Sequence, residues 1–139
     1  MKGKSLLFTA ILVLGCFVAL SQEFTHEAKM VEVYGQEWVN SRKLDSPDLL
    51  SLMDNYISFG FVVEEVSEEK FKGHDQLELI PLTSKTEQFI TVDEFLKELE
   101  DGSFNPLKYK FFPVKDGQLI KLKGVNKIIR ILPQSSLLK

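Results

Sequence analysis

Four glutamates form the densest group of side chains in this sequence that could carry acid–base or metal chemistry. They are Glu64, Glu65, Glu68 and Glu69, at the end of a run of strand-forming residues. Paired carboxylates hydrolyse glycosidic bonds in many enzymes, and clustered ones bind calcium. Adjacent residues of a strand point to opposite faces, however, and the D-x-D-x-D-G ladder of calcium loops is absent. The pattern therefore favours a solvated acidic turn, with a small cell-envelope hydrolase that uses an acidic pair as the alternative.

The two histidines limit metal and nucleophilic chemistry further. His26 lies in a segment without a hydrophobic period and His74 in a polar turn, so we expect both to be solvated. Two histidines cannot build a zinc site unless carboxylates supply the other ligands. A Ser-His-Asp arrangement needs no local spacing, but no G-x-S-x-G nucleophile elbow and no glycine-rich phosphate loop is present. The sequence therefore assigns no catalytic residue, no metal ligand and no cofactor, and it is more typical of a protein that is not an enzyme.

A basic and aromatic stretch near the C-terminus is the remaining candidate site. We predict a surface for an anionic partner, formed by Lys108, Lys110, Lys121, Lys123, Lys127 and Arg130. The partner would be another protein or an anionic component of the cell envelope. Basic residues alternate here with apolar ones such as Ile120 and Leu122, which is also the pattern of an ordinary half-buried sheet. A nucleic-acid partner is not expected, because the chain has a net charge of −3 and nucleic-acid binding depends on neutralising phosphates.

The N-terminal residues have the order of a secretory signal peptide. Two lysines precede an apolar run over residues 5–20, and the segment ends in Ala-Leu-Ser, with small residues at the positions that signal peptidase inspects. This order predicts cleavage between Ser21 and Gln22. A retained anchor is disfavoured because the run is shorter than the roughly 20 apolar residues that span a bilayer. We therefore expect an exported protein, periplasmic or extracellular, with no transmembrane helix after cleavage.

The single cysteine, Cys16, raises an alternative fate for this segment. The stretch Val13-Leu14-Gly15-Cys16 resembles the box that precedes the lipid-modified cysteine of bacterial lipoproteins. The alternative to free release is therefore a lipoprotein anchored in the cell envelope through Cys16. With no second cysteine the chain forms no internal disulfide, although domains exported through oxidising compartments commonly carry them. This composition favours a bacterial exported protein whose core needs no covalent support.

Two helices are predicted from their start signals. Ser46-Pro47-Asp48 combines an N-cap hydroxyl, a proline at the first helical position and an acid near the positive end of the dipole, which predicts a helix over residues 47–55. A second helix begins with the T-x-x-E capping box at Thr91 and is expected to end at Gly102. We interpret the apolar stripe of the first helix as core and not as a cofactor box. Its members are Leu49, Leu52, Met53, Tyr56 and Ile57.

The segment before the first predicted helix has weaker signals. Residues 29–34 alternate between apolar and polar side chains and end at Gly35, which indicates a first strand. Residues 36–43 hold the only tryptophan, Trp38, and are predicted as a turn or a short helix. Residues 22–28 have no clear period, which indicates a flexible leader.

The remaining strands are predicted as hairpins. Residues 57–66 and 77–82 are expected to pair with each other in antiparallel fashion, with Gly60 marking a bulge or a close approach. Asp116-Gly117 lies between two apolar runs, which is a strong signal for a tight hairpin turn. It predicts a three-stranded meander from residues 107–114, 119–123 and 125–132.

Together these elements predict an α+β fold, in which two helices cover an antiparallel sheet of hairpins and a C-terminal three-stranded meander. The apolar pattern is ample and no catalytic constellation accompanies it, so we expect a non-enzymatic binding or structural module. The predicted layout is a signal peptide at 1–21, a flexible leader at 22–28, a single α+β domain at 29–132 and a C-terminal tail at 133–139.

Overall fold

The computed structural model describes residues 24–71, 76–83, 88–111 and 115–138. The predicted signal peptide, the Cys16 lipidation site and His74 lie outside these ranges. The described part contains helices and two small sheets, which confirms the predicted α+β class. Its helices are α1 (Glu27–Tyr34), α2 (Gln36–Asp45), α3 (Pro47–Asn55), α4 (Val92–Asp101) and α5 (Gln134–Leu137). Its strands are β1 (Phe61–Glu65), β2 (Gln76–Leu77), β3 (Leu79–Pro81), β4 (Phe89–Thr91), β5 (Gln118–Leu122) and β6 (Lys127–Ile131).

The larger sheet is mixed, with the strand order β1-β6-β5-β2, and β3 pairs with β4 in a second, antiparallel sheet. β1 and β5 flank β6 in antiparallel pairs, whereas β2 runs parallel to β5. The predicted hairpin between residues 57–66 and 77–82 is therefore wrong. Each of these runs carries the alternation of a strand, but alternation does not encode the partner. Phe61 lies opposite Ile131 because both belong to the buried face of the sheet.

Residues 29–34 belong to α1 and not to the predicted strand. Met30, Val33 and Tyr34 lie at i, i+3 and i+4, so the residues that alternate also form a helical stripe. Met30 is fully buried, and Val33 and Tyr34 pack beside it. Gly35, at φ 90°, lets α2 follow α1 at once, since this backbone conformation favours glycine. Residues 24–28, predicted as a flexible leader, include the start of α1, and Phe24 packs against the core.

α3 and α4 confirm the two helices predicted from their start signals. The Thr91 hydroxyl accepts a hydrogen bond from the main-chain nitrogen of Glu94, whose carboxylate accepts one from the main-chain nitrogen of Thr91. Gly102 follows α4 in the left-handed conformation at φ 78°. The Ser46 hydroxyl, by contrast, makes no capping bond at the start of α3. Of the predicted start signals, Pro47 is found in its expected role, at the first position of the helix.

The C-terminal strands form a hairpin, β5–β6, whose turn contains Gly124 at φ 81°. The third antiparallel strand beside this hairpin is β1, and not the predicted strand at residues 107–114. In the described part of that segment, Pro106–Lys108 is a 3-10 turn and Tyr109 forms an isolated bridge with Leu82. The Asn105 side chain accepts a hydrogen bond from the main-chain nitrogen of Leu107, which favours this turn over an extended strand.

Residues 134–137 form α5, where the sequence predicts a frayed tail. Leu137 is fully buried against the π-helical turn Tyr56–Gly60 that links α3 to β1. A Cβ atom on Gly60 would lie 2.8 Å from the Leu137 Cδ2 atom. The close approach predicted at Gly60 is therefore confirmed, and it is the C-terminal segment that makes it.

The core beneath α4 and the larger sheet is rich in aromatic rings. Phe95 lies edge-on to Tyr109, with ring centroids 5.1 Å apart, and Phe61 lies 5.4 Å from Phe104. Tyr56 meets Phe61 edge-on at 6.0 Å. Such edge-to-face pairs hold each ring in one orientation. These contacts hold the rings of Tyr56 and Tyr109. Both residues also line a cavity.

Candidate ligand-binding site

An apolar cavity of about 270 Å³ lies between the first three helices and the 3-10 turn at Pro106–Lys108. Five of its ten lining side chains are aromatic, four are Leu or Met, and one is an amide. No charged side chain of the described residues lines it. The lining consists of Tyr34, Trp38, Leu49, Leu52, Met53, Tyr56, Leu107, Tyr109, Phe111 and Gln134.

One wall of the cavity is a ladder of side chains that crosses from α1 to α2. The rings of Tyr34 and Trp38 stack with their centroids 4.5 Å apart and an interplanar angle of 24°. The Arg42 guanidinium carbon lies 5.3 Å from the Trp38 ring centroid, one helical turn further along. Tyr34 covers one face of the indole, so the guanidinium lies over the other. Trp38 therefore presents its edge, and not its face, to the cavity.

The opposite wall comes from the apolar stripe of α3. Leu52, Met53 and Tyr56 line the cavity, as expected for residues at i, i+1 and i+4 of one helical face. Leu49, which the sequence analysis assigned to the core, is 41% exposed and lies at the mouth of the cavity. Leu50, outside the predicted stripe, is fully buried instead. The stripe is thus divided between core and cavity.

Two of the three tyrosines that line the cavity donate their hydroxyl protons to described residues. Tyr56 donates a 2.7 Å hydrogen bond to the main-chain oxygen of Phe111, and Tyr109 donates to the carboxylate of Glu98. Burial raises the pKa of Tyr56, and the nearby Tyr34 hydroxyl contributes to the same rise. Burial also raises the pKa of Tyr34. The interior therefore disfavours negative charge, since an anion there would lose its hydration.

A histidine, an aspartate and a serine meet at the start of α1. The Nδ1 atom of His26 lies 3.1 Å from Asp54 Oδ1 and 3.3 Å from Ser58 Oγ. In a Ser-His-Asp triad the serine and the carboxylate bind opposite ring nitrogens, so the imidazole can relay a proton. Here both contact Nδ1, and the Ser58 hydroxyl donates to the main-chain oxygen of Asp54 at 2.8 Å. The contacts therefore do not form a triad.

The same cluster has a structural role. The main-chain nitrogen of His26 donates to Asp54 Oδ1 at 2.8 Å, which ties the start of α1 to α3. His26 is only partly exposed, so the expectation of a solvated leader residue is wrong. The reason is a tertiary contact, because Asp54 lies 28 residues further along the chain.

The predicted acidic cluster is divided by the sheet. Glu64 and Glu65 are consecutive residues of β1, and their side chains point to opposite faces, as predicted. Glu64 forms a bidentate ion pair with Arg130, with distances of 3.2 and 3.1 Å. The other two glutamates lie in the exposed 3-10 turn Glu68–Phe71. Within the described ranges, no group of three or more His, Cys, Asp or Glu side chains is arranged to hold a metal ion.

Two of the cationic residues predicted to bind an anionic partner lie on the outer face of the larger sheet. Arg130 is engaged with Glu64. Lys121 is 6% exposed, and its Nζ atom donates to the main-chain oxygens of Leu122, at 2.8 Å, and Val125. The Lys121 ammonium group therefore closes the β5–β6 turn. A member of the predicted anionic-partner surface would instead be exposed to water.

The other four cationic residues lie in separate places. Lys108 pairs with Glu32 of α1 at 2.8 Å, and Lys123 pairs with Glu78 at 3.1 Å. Lys127 points to the sheet face opposite to Arg130, since it lies three residues before it in β6. The anionic-partner surface stays a prediction. Three members, Lys110, Lys121 and Lys127, form no ion pair with a described carboxylate, and of these Lys121 is buried.

Comparisons with protein-family models, with curated proteins and with solved structures find no match for this chain. In the described part, no helix combines the length and the apolar composition needed to cross a bilayer. Function is therefore inferred from the geometry of the cavity.

Proposed function

We propose that this protein is an exported, non-enzymatic binding protein that holds a small uncharged ring compound in the aromatic cavity. The observation that carries the proposal is the lining of the cavity, five aromatic rings and four Leu or Met side chains around about 270 Å³. Ligand sites in proteins combine such apolar walls with a small number of polar groups. The volume lies just below the roughly 300–1,000 Å³ of sites for drug-sized molecules, which limits the ligand to about one or two rings.

The charge of the lining supports an uncharged ligand. An ion transferred from water into this cavity would lose hydration and gain no opposite charge from the described lining residues. The Arg42 guanidinium lies over the Trp38 ring, and it is engaged with Asp45 at 3.1 Å. Apolar burial is then the main source of affinity, at about 25 cal/mol for each Å² of apolar surface removed from water.

The test uses Trp38, the only tryptophan, as an intrinsic reporter. Toluene should change the Trp38 emission in a saturable way, because the indole lines the cavity. Leu52→Phe places a larger side chain into the cavity and should weaken toluene binding at least about tenfold, a loss of about 1.4 kcal/mol. Leu44→Phe is the matched control, since Leu44 is 78% exposed and does not line the cavity.

The proposal would be overturned if toluene caused no saturable change in Trp38 emission and none in the NMR signals of the lining methyl groups. Equal affinity of toluene for Leu52→Phe and Leu44→Phe would also overturn it, because binding would then occur elsewhere on the protein.

Export rests on the N-terminal sequence, and the N-terminus of the protein recovered from its own cell fraction tests it. A chain that begins at Gln22 supports free release after signal cleavage. A chain that begins at a lipid-modified Cys16 supports the anchored alternative in the cell envelope. A chain that retains residues 1–21 in the cytoplasm would overturn export.

A further inference from the structure

Among the three tyrosines that line the cavity, one hydroxyl differs from the other two in its hydrogen bonding. A phenol donates a single proton. Tyr56 donates its proton to the main-chain oxygen of Phe111, and Tyr109 donates its own to Glu98. Tyr34 makes no hydrogen bond to a described residue through its hydroxyl, although its ring is held by stacking on Trp38. Within the described residues, Tyr34 is thus the one of the three phenols whose proton has no acceptor in the protein.

The position of Tyr34 is suited to this role. Tyr34 and Tyr56 both line the cavity, and charge on the Tyr34 hydroxyl contributes to the raised pKa of Tyr56. The Tyr56 oxygen, which already donates to Phe111, can only accept further bonds from a ligand or from Tyr34. Stacking on Trp38 fixes the plane of the Tyr34 ring, so little rotational freedom would be lost on binding.

We infer that the Tyr34 hydroxyl is the specificity-determining group of the cavity and donates a hydrogen bond to one acceptor oxygen or nitrogen of the ligand. This inference rests on the proposed binding function and narrows the ligand class to an uncharged single-ring compound with a hydrogen-bond acceptor, such as an aromatic ketone. A ring compound without an acceptor would displace water from the Tyr34 hydroxyl without replacing the hydrogen bond, which costs free energy. A carboxylate adds a charge for which the described lining has no partner.

The experiment compares two ligands of nearly the same shape. Acetophenone carries a carbonyl where α-methylstyrene carries a methylene group, so the pair differs mainly in the acceptor. Affinities of both are measured from Trp38 emission for the wild-type protein and for Tyr34→Phe, which keeps the stacked ring and removes only the hydroxyl. The near-ultraviolet circular dichroism of Tyr34→Phe, recorded first, reports whether the packing at Trp38 is retained.

The expected result is a loss of about fivefold in acetophenone affinity in Tyr34→Phe, with α-methylstyrene affinity nearly unchanged, as a net hydrogen bond of about 1 kcal/mol requires. Leu44→Phe should bind both ligands like the wild type. Benzoate, which presents a charged acceptor on the same ring, should bind more weakly than acetophenone to the wild type.

Four results would overturn the inference, and they have different meanings. If wild type and Tyr34→Phe bind both ligands with the same affinity ratio, the cavity binds rings but Tyr34 does not select them. If benzoate binds more tightly than acetophenone, the cavity accepts a charged ligand and the restriction to uncharged compounds fails. If neither ligand binds the wild type, the proposed function fails and the selection by Tyr34 fails with it. If Tyr34→Phe loses the packing at Trp38, the variant cannot be used, and the test compares the two ligands in the wild-type protein alone. Equal affinities of acetophenone and α-methylstyrene for the wild type would then overturn the inference.

Discussion

The side-chain amide of Asn105 donates a 2.9 Å hydrogen bond to the main-chain oxygen of Lys29 in α1. It also reaches a carboxylate oxygen of Glu32 at 3.1 Å, and its own oxygen accepts from the main-chain nitrogen of Leu107 at 3.1 Å. Asn105 is 1% exposed, so these bonds are made away from water. They join α1, which carries Tyr34, to the turn that presents Leu107 to the cavity.

Asn105→Ala should therefore lower the free energy of unfolding by about 2 kcal/mol, because buried main-chain groups would lose their partners. Urea unfolding at pH 7 measures the change. Asn126 is the matched control, since it is exposed in the β5–β6 turn and its φ is not positive. Asn126→Ala should change the stability by less than about 0.5 kcal/mol. Equal effects of the two substitutions would contradict the role assigned to Asn105.

The C-terminal segment should contribute to stability through one of two adjacent leucines. Leu137 is fully buried and Leu138 is 61% exposed. Leu137→Ala should destabilise the protein by about 2–4 kcal/mol, since it removes buried methyl groups and leaves a cavity beside Gly60. Leu138→Ala should be within about 0.5 kcal/mol of the wild type. Thermal unfolding of both variants tests this, and similar melting temperatures would show that the segment is frayed, as the sequence alone indicated.

Lys121 should behave as a structural residue and not as part of a binding surface. Lys121→Met keeps the length of the side chain but removes the donor to the main-chain oxygens of Leu122 and Val125, and should cost about 1–3 kcal/mol. Lys123→Met is the comparison, because Lys123 is 55% exposed in its ion pair with Glu78 and such pairs contribute about 0–1 kcal/mol. Urea midpoints of the two variants that coincide would be evidence against this assignment.

Stability should depend on pH through the ion pair between Glu32 and Lys108. Hydrogen bonds from Lys108 and then Asn105 lower the pKa of Glu32 below its ordinary value of 4.5. A carboxyl whose pKa is lower in the folded state stabilises the fold above the unfolded-state pKa, and this contribution is lost as the pH falls through the folded-state value. Glu32→Gln should thus be less stable than the wild type at pH 7, and the difference should shrink below pH 4.5.

The size of this effect is limited by exposure. The Glu32 and Lys108 side chains are 47% and 32% exposed, so solvent screens the pair and at most about 1 kcal/mol is expected. An NMR titration of the Glu32 carboxyl measures its pKa directly, and Lys108→Met should raise it. A Glu32 titration midpoint at or above 4.5 in the wild type would contradict the prediction.

Elements with local signals were predictable from sequence. The capping box at Thr91 and the proline at position 47 act within a few residues, so α3 and α4 form where the sequence indicates. For residues 29–34, by contrast, the local sequence did not determine whether a helix or a strand forms. A six-residue segment with apolar positions 30, 31, 33 and 34 satisfies both periods, and packing of α1 against α2 and the turn at Asn105 decides between them.

The cavity could be predicted only in part. The stripe that contains Leu52, Met53 and Tyr56 was visible as one apolar face, but core and cavity walls have the same sequence pattern. Trp38 and Phe111 gave no signal that they line one cavity, because they lie far apart in the chain and have no shared spacing. A lone tryptophan in an otherwise polar segment is the one feature that could have directed attention to this wall.

By itself the sequence determined the α+β class, the absence of an internal disulfide, and the positions of the helices that begin with local caps. These follow from chemistry within one or two helical turns. Tertiary structure decided that β1 pairs with β6, that Lys121 closes a turn, and that three tyrosines line one cavity. The physical reason is that strand partners, buried hydrogen bonds and cavities depend on residues brought together across the chain. Many apolar side chains of similar size could occupy the same contact, so the local sequence does not specify the partner.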